Sequence, residues 1–333
     1  MTKYFHPTQM LKEAKQTGKG HRWGIEILIF LLVFFIGQTL VSIPVTVATL
    51  ISVFTSESVI EALTTAMQTG NVEDYMEQVS IAMNNLPDWT MLVQLFSTAL
   101  ATLVAILFCK WIEKRSPASM GLRRGHFWRE YGLGSLFGIL LISACVGICV
   151  LCGSLTLAPS AFSPVMWVLF LMGFVVQGMS EEVVCRGYMM VSVSRKNSML
   201  LAVLTNSVMF ALLHIFNPGF GILPLINIAL FGILESVYVL KRGDLWGACA
   251  IHSLWNFFQG NVFGISVSGT GAGASPLSAT VKEGMAWLNG GTFGIEGGIA
   301  VTVVTALAIL GIIFLLPANR EELAKEEPIP TIE

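Results

Sequence analysis

Long apolar runs separated by short polar breaks dominate this chain. Cutting the sequence at charged or turn-rich positions leaves eight apolar segments, and about 20 consecutive apolar residues suffice for a helix to cross a bilayer. The pattern predicts an all-α fold, a polytopic membrane helical bundle of about eight transmembrane helices. The segments lie near residues 24–54, 90–109, 131–157, 165–194, 198–214, 222–240, 245–258 and 297–316.

The composition supports a membrane protein. Hydrophobic residues make up 54% of the 333 residues and charged residues only 12%, a balance that a soluble domain of this size would not show. We therefore expect an integral membrane protein with the lipid bilayer as a partner. The net charge of −2 argues against nucleic acid as a partner.

The basic residues predict the orientation of the chain. Short cytoplasmic loops collect Lys and Arg, and here these residues cluster before the first apolar segment, in alternate connections and after the last segment. Of the 19 basic residues, only Lys282 falls in a predicted outer connection and only Arg186 falls within an apolar segment. Both termini are therefore predicted to be cytoplasmic.

The layout predicts one membrane domain, residues 24–316, between a cytoplasmic N-terminal segment, residues 1–23, and a cytoplasmic tail, residues 317–333. Two long connections of this domain, residues 55–89 and 259–298, are predicted to lie on the outer side of the membrane. The acidic segment 55–89 carries no Lys or Arg, and its patterning predicts short surface helices. The connection 259–298 is rich in Gly and Ser, which suits tight, irregular backbone packed on the protein and equally suits a floppy loop.

Three ionisable side chains, Glu181, Glu182 and Arg186, lie in the fourth apolar segment. Charges inside a membrane are costly and indicate function. Positions four apart share a helix face while neighbours point about 100° apart, so Glu182 is expected to pair with Arg186. That pair can be purely structural. Glu181 keeps no cationic partner on its own helix and is therefore the candidate general base.

Further polar groups lie in the fifth and seventh segments. His214 ends the fifth segment, with Phe210 packed beside it one helical turn earlier, and His252 and Asn256 share one face of the seventh. Counting residues from the basic turns places Glu181 and His214 at one depth and the other pair at a shallower depth. The pairs still reach one level if the fourth and fifth helices project into the cytoplasm, so the count leaves their relative depth open. A single membrane histidine is more often a packing residue, so the hypothesis rests on convergence of the whole set.

Glu235 is the ionisable residue of the sixth segment that this set leaves out. It lies six residues before Lys241 near the predicted cytoplasmic side. We expect its side chain to reach the cytoplasmic interface rather than to take part in catalysis.

A carboxylate and an imidazole around one water molecule suit amide hydrolysis. Glu181 would accept the proton of the water, and His214 would orient the water or share the proton. His252 and Asn256 would donate hydrogen bonds to the oxyanion without a cofactor. The competing hypothesis is a zinc site formed by Glu181, His214 and His252, although the sequence contains no HExxH helix.

Three motifs in this order resemble those of the CPBP family, the CAAX-processing and bacteriocin-processing intramembrane glutamate endopeptidases, also called the Abi family. They are Glu181-Glu182-x-x-x-Arg186, Phe210-x-x-x-His214 and His252-x-x-x-Asn256. The resemblance covers roughly residues 115–260. It implies an all-helical membrane core that cleaves a peptide bond, with Glu181 as base, His214 beside it, and His252 and Asn256 on the oxyanion.

Members of that family in bacteria process membrane or secreted peptides or confer bacteriocin self-immunity. The resemblance therefore implies a membrane peptide or protein as substrate and a bacterial plasma membrane as location. Two alternatives remain from other classes. A non-catalytic immunity or adaptor protein of the same family would need the helices but not Glu181. A transporter is less favoured, because no repeat relates the first four segments to the last four.

Overall fold

The computed structural model describes residues 8–18, 20–123, 125–271 and 273–317. Residues 1–7 and 19 of the predicted N-terminal segment, and the predicted tail after Pro317, lie outside the described residues. The α-helices are, in chain order, α1 Gln9–Gln16, α2 Trp23–Phe54, α3 Glu57–Thr69, α4 Glu73–Asn84, α5 Asp88–Ser97, α6 Ala99–Trp111, α7 Phe127–Leu151, α8 Pro164–Glu182, α9 Val191–Ser194, α10 Met199–Leu212, α11 Ile222–Arg242, α12 Trp246–Asn261, α13 Ala286–Asn289 and α14 Ile299–Phe314.

The shorter elements complete the fold. A π-helix joins α8 to α9 without a break, and three 3₁₀-helices lie in the connections. Two strands form one antiparallel pair. These elements are the π-helix Val183–Met190, the 3₁₀-helices Pro117–Met120, Gly291–Phe293 and Ile295–Gly297, and the strands β1 Leu155–Pro159 and β2 Leu277–Val281.

Every predicted apolar segment forms a helix in the structure, so the helical membrane fold is confirmed. Five helical stretches in the described part of the chain are long and apolar enough to cross a membrane. The helices α10 and α14 are apolar but shorter, and α12 has 16 residues. The predicted count of about eight spans is therefore larger than the five that length and composition support. The five stretches are Trp23–Phe54, Asp88–Trp111, Phe127–Leu151, Pro164–Ser194 and Ile222–Arg242.

The helix α12 lies at the centre of the bundle, packed against α7, α8 and α11. Small residues let these helices approach closely, as is common between membrane helices. A Cβ added at Gly134 of α7 would lie 2.2 Å from the carbonyl oxygen of Gly247, and one at Gly178 of α8 would lie 2.5 Å from Ser253 Oγ. Because Ser253 directly follows His252, this close packing holds His252 against the end of α8.

The small sheet changes the predicted bounds of one apolar segment. The third apolar segment was expected to remain helical to residue 157, but α7 ends at Leu151. Gly153 follows with a φ of +66°, a backbone conformation that favours glycine and turns the chain out of the helix. The next residues form β1, whose Leu155 pairs with Val281 of β2.

The two connections 55–89 and 259–298 are both structured. The segment 55–89 contains α3 and α4, as its patterning predicted. The Gly-rich connection 259–298 is packed on the protein, because Phe293 and Ile295 are buried and Glu296 Oε2 accepts hydrogen bonds from Ser268 N at 2.6 Å and Ser268 Oγ at 2.9 Å. Of the two possibilities for this connection, packed backbone is therefore confirmed.

Candidate active site

The two adjacent glutamates lie at the junction of α8 and the π-helix, a type of distortion that often occurs at functional sites. Glu182 Oε1 accepts a hydrogen bond from Arg186 Nη1 at 2.9 Å, and both side chains are fully buried. The predicted pair is therefore present. Its burial makes the loss of either partner costly, because a lone buried charge would remain.

Glu182 has a second partner that the sequence did not predict. Its Oε1 lies 2.8 Å from His252 Nδ1. A ring nitrogen facing a carboxylate carries the proton, so Glu182 fixes the orientation of the imidazole. The opposite nitrogen, His252 Nε2, lies 3.4 Å from Glu181 Oε2. His252 is thus held between the two glutamates and presents Nε2 to Glu181.

Glu181 differs from its neighbour in exposure and partners. Its side chain is 30% exposed, and its Oε1 accepts a hydrogen bond of 2.6 Å from Gln177 Nε2. The amide oxygen of Gln177, Oε1, accepts a hydrogen bond of 3.1 Å from Asn256 Nδ2. Gln177 therefore joins the candidate base to Asn256. The sequence reasoning missed it, although a polar residue four positions before Glu181 on one helix face was a visible signal.

His214 lies just beyond the end of α10. Its Nδ1 bonds to the carbonyl oxygen of Phe210 at 2.8 Å, so Nδ1 is the donor and Nε2 of the neutral ring is a hydrogen-bond acceptor. The rings of Phe210 and His214 meet edge to face with centroids 5.0 Å apart, as the spacing predicted. The guanidinium of Arg186 lies 4.5 Å from the centre of the same Phe210 ring, a cation–π contact.

One cavity of about 720 Å³ connects these side chains. Glu181, His214, His252 and Asn256 all line it, together with Gln177. The end of the acidic segment 55–89 and the Gly-rich connection also line it. The residues there include Leu86, Asp88, Ser268, Thr270 and Glu296.

The residue count left the relative depth of the two pairs open. His252 contacts both glutamates, so the first and third motifs meet at one level. The residue count assumed α-helical rise throughout, but part of the path from Arg195 back to Glu181 is π-helix, which advances less per residue. The imidazole nearest to Glu181 is therefore that of His252, while His214 lines the same cavity.

The expectation for Glu235 was also wrong. Its side chain is fully buried, and within the described residues neither carboxylate oxygen has a hydrogen-bond partner. It interacts electrostatically with Glu182 and Arg186. The helix α11 packs on α10 and α14, and this packing turns Glu235 inward instead of leaving it free to reach the interface.

Within residues 8–18, 20–123, 125–271 and 273–317, no three His, Cys, Asp or Glu side chains form a group that could hold a metal ion. The set Glu181, His214 and His252, which a zinc site would use, is thus not such a group.

Comparison with known proteins bears on the same part of the chain. Residues 162–258 match the family model described as type II CAAX prenyl endopeptidase Rce1-like. The match contains all three motifs and confirms the resemblance to the CAAX proteases, although it begins later than the expected residue 115. Neither a curated protein nor a solved structure matches the chain.

Proposed function

We propose that the chain is an intramembrane endopeptidase, because residues 162–258 match the family model described as type II CAAX prenyl endopeptidase Rce1-like. Its substrate is a membrane-associated or secreted peptide or protein. One observation carries the proposal: the polar side chains of three separate helices line a single cavity. Burying so many polar groups in a membrane protein is costly unless they serve a function.

Glu181 acts as the general base. Its carboxylate faces the cavity, where it accepts a proton from a water molecule while the oxygen of that water attacks the peptide carbonyl carbon. His214 Nε2, on the same cavity, helps to orient the water. When the tetrahedral intermediate collapses, the C–N bond breaks and Glu181 returns its proton to the leaving amine. Gln177 supports this role by holding one oxygen of the carboxylate at 2.6 Å.

His252 and Asn256 stabilise the oxyanion. Because His252 Nδ1 donates to Glu182, Nε2 can donate to an oxyanion only in the imidazolium form, which the two flanking carboxylates stabilise. Asn256 Nδ2 has one N–H on Gln177 and a second one for the substrate. Donors fixed in place before the reaction are worth more than mobile ones, since they need no reorganisation.

The proposal includes the topology. Eight helices span or enter the bilayer of a bacterial plasma membrane, both termini are cytoplasmic, and the cavity opens toward the outer connections that supply its far wall. The distribution of Lys and Arg supports this orientation. The segments 55–89 and 259–298 then shape the route by which substrate reaches Glu181.

Cleavage of a quenched membrane-peptide library by the purified protein in detergent tests the function. The library contains prenylated and unprenylated peptides, and the assay is run with and without a chelator. We expect cleavage that persists in chelator and is lost in Glu181→Gln, because the amide cannot accept the proton. Glu283→Gln, at an exposed position that does not line the cavity, serves as the matched control and should cleave normally.

Other outcomes would overturn the proposal. Cleavage that survives in Glu181→Gln would remove this residue as the base, and loss of activity in chelator would favour the zinc hypothesis. A folded protein that cleaves no peptide of a broad library would indicate the non-catalytic immunity or adaptor protein.

A further inference from the structure

The π-helix beside the two glutamates creates a need that regular helical bonding cannot meet. In an α-helix each carbonyl oxygen accepts from the N–H four residues later, and in a π-helix from the N–H five residues later. Where π-helical bonding returns to α-helical bonding, one carbonyl oxygen is therefore passed over. This return occurs where the π-helix Val183–Met190 joins α9, and every residue of the π-helix is buried. A buried carbonyl oxygen needs a donor, and here the donor must come from outside the helix.

Arg115 supplies donors at this junction. It lies in the connection between α6 and the 3₁₀-helix Pro117–Met120, and its side chain is fully buried. Its Nη2 donates a hydrogen bond of 2.8 Å to the carbonyl oxygen of Gly187, and its Nη1 donates one of 3.4 Å to that of Tyr188. Both carbonyl groups belong to the second half of the π-helix. A side chain from another part of the chain thus contributes to the backbone hydrogen bonding of this element.

The remaining contacts fix the guanidinium in this position. Nη1 donates to Glu113 Oε2 at 2.9 Å and to Ser192 Oγ at 2.8 Å. Nη2 also donates to the carbonyl oxygen of Ser119 at 3.1 Å, and Nε donates to Ser119 Oγ at 3.3 Å. The ion pair with Glu113 compensates the buried charge. Because all three nitrogens are bonded, Arg115 cannot turn away from the π-helix without breaking several hydrogen bonds at once.

The π-helix lies between two segments that are fixed by packing. On its N-terminal side, Gly178 of α8 packs closely against Ser253 of α12. On its C-terminal side, the ring centroid of Tyr188 lies 6.0 Å from that of Phe30 and 5.4 Å from that of Phe108. One residue corresponds to about 100° of rotation in an α-helix. Regular α-helical bonding throughout would therefore turn either the glutamates away from α12 or Tyr188 away from its aromatic neighbours.

We infer that Arg115 is a positioning residue for the candidate site: its guanidinium bonds the carbonyl oxygens near the end of the π-helix and so holds the helical register that sets Arg186 against Glu182. Gly187, whose carbonyl oxygen Arg115 binds, directly follows Arg186. Arg115 does not line the cavity and acts through the backbone alone. The inference rests on the proposed function for its catalytic consequence.

The first test compares the steady-state kinetics of two substitutions in the full chain. Arg115→Lys keeps the positive charge beside Glu113, but a single ammonium group cannot replace the planar fork of the guanidinium. We expect kcat to fall by about 100-fold, because displaced catalytic groups lose their alignment, with little change in KM. Arg115→Met should lose at least as much. Lys110→Met, at an exposed basic position near the end of α6, is the matched control and should keep the wild-type kcat.

One result of these kinetics would overturn the inference. If Arg115→Lys kept the wild-type kcat, a positive charge beside Glu113 would suffice and the bonds to the π-helix would not matter for the site.

The second test does not depend on cleavage. Hydrogen–deuterium exchange in detergent is followed by mass spectrometry for wild type and Arg115→Lys. We expect the amides of residues 183–194 to exchange about tenfold faster in the variant, because the helix opens more readily without its carbonyl contacts. The amides of α7 are the internal reference and should be unchanged. Unchanged exchange in 183–194, or an equal rise in α7, would overturn the inference, as would an Arg115→Lys protein that does not fold, because Arg115 would then support the whole bundle.

The two tests separate the inference from the proposed function. If wild type cleaves no peptide, the protease proposal fails, and the exchange rates still decide whether Arg115 holds the π-helix. If wild type cleaves while Arg115→Lys is equally active, the protease proposal stands and the positioning role is refuted, even where the exchange of residues 183–194 becomes faster.

Discussion

At the scale of single residues, the two adjacent glutamates differ in burial and in hydrogen-bond partners, and these differences suit them to different roles. Glu182 is fully buried and bonds to Arg186 and His252, which ties its charge to fixed partners. Glu181 faces the cavity and is held by the neutral amide of Gln177. Only a carboxylate that can change its protonation without breaking a buried ion pair suits a general base.

Gln177 provides the prediction at this scale. Gln177→Ala removes the hydrogen bonds to Glu181 and Asn256 at once, so the base and an oxyanion donor both lose their fixed orientation. We expect kcat to fall by roughly 10- to 100-fold, as for other residues that orient catalytic groups, with little change in melting temperature. Steady-state kinetics and thermal melting in detergent measure the two effects.

The matched control is Gln38→Ala, because Gln38 lines the same cavity but belongs to α2. It should keep its kcat. An unchanged kcat in Gln177→Ala would show that Glu181 and Asn256 are oriented without this residue.

At the scale of elements, close helix contact determines where the catalytic side chains meet. The helix α12 approaches α7 so closely that Gly134 has no room for a side chain against Gly247. Moving α12 outward would shift His252 away from the glutamates on α8. The glycines of this contact therefore influence the site although none of them lines the cavity.

Gly134→Ala tests this dependence. Its Cβ would lie 2.2 Å from a backbone oxygen, so α12 must move, and overpacking of this kind costs about 1–3 kcal/mol. We expect a lower melting temperature and a lower kcat. Gly132→Ala on the same helix is the control, since nothing lies within 4 Å of its added Cβ and alanine is the better helix former. Equal behaviour of the two variants would contradict the close contact.

The sequence predicted local features of this architecture and missed long-range ones. Apolar runs located helical segments, and the four-residue spacing predicted the pair of Glu182 and Arg186. No local pattern reveals that Leu155–Pro159 pairs with Leu277–Val281, because strand partners far apart in sequence are chosen by tertiary packing. The contact of His252 with Glu182 and the inward rotation of Glu235 likewise depend on how whole helices are placed.

At the scale of the whole molecule, the cavity joins the candidate site to both long connections, 55–89 and 259–298. Its lining includes Glu181, Asp88 at the start of α5 and Glu296 in the Gly-rich connection. A substrate segment that fills this cavity therefore contacts both connections. Changes in the walls should alter substrate binding while leaving the chemical step intact.

Gly271→Trp tests the role of the walls. Gly271 lines the cavity, and nothing lies within 4 Å of a Cβ added there, so an indole can project into the substrate path without displacing the backbone. We expect the KM to rise by roughly tenfold, or about 1.4 kcal/mol of lost binding, with kcat retained. Kinetics with a single cleaved peptide measure both constants.

Gly24→Trp on α2 is the control for the added bulk, because its Cβ also meets nothing within 4 Å and Gly24 does not line the cavity. Its KM should match wild type. If Gly271→Trp lowered kcat instead of raising the KM, the outer wall would belong to the chemistry rather than to the substrate path.

The β1–β2 pairing has a mechanical consequence. β2 belongs to the connection that walls the cavity, and β1 leads after a few residues into Pro164, where α8 begins. An outward displacement of this connection would strain the hydrogen bonds between β1 and β2. It would also pull on the start of α8, the helix that carries both glutamates. The position of this connection and the position of the start of α8 are therefore mechanically coupled. A peptide wide enough to displace the connection would also pull on α8.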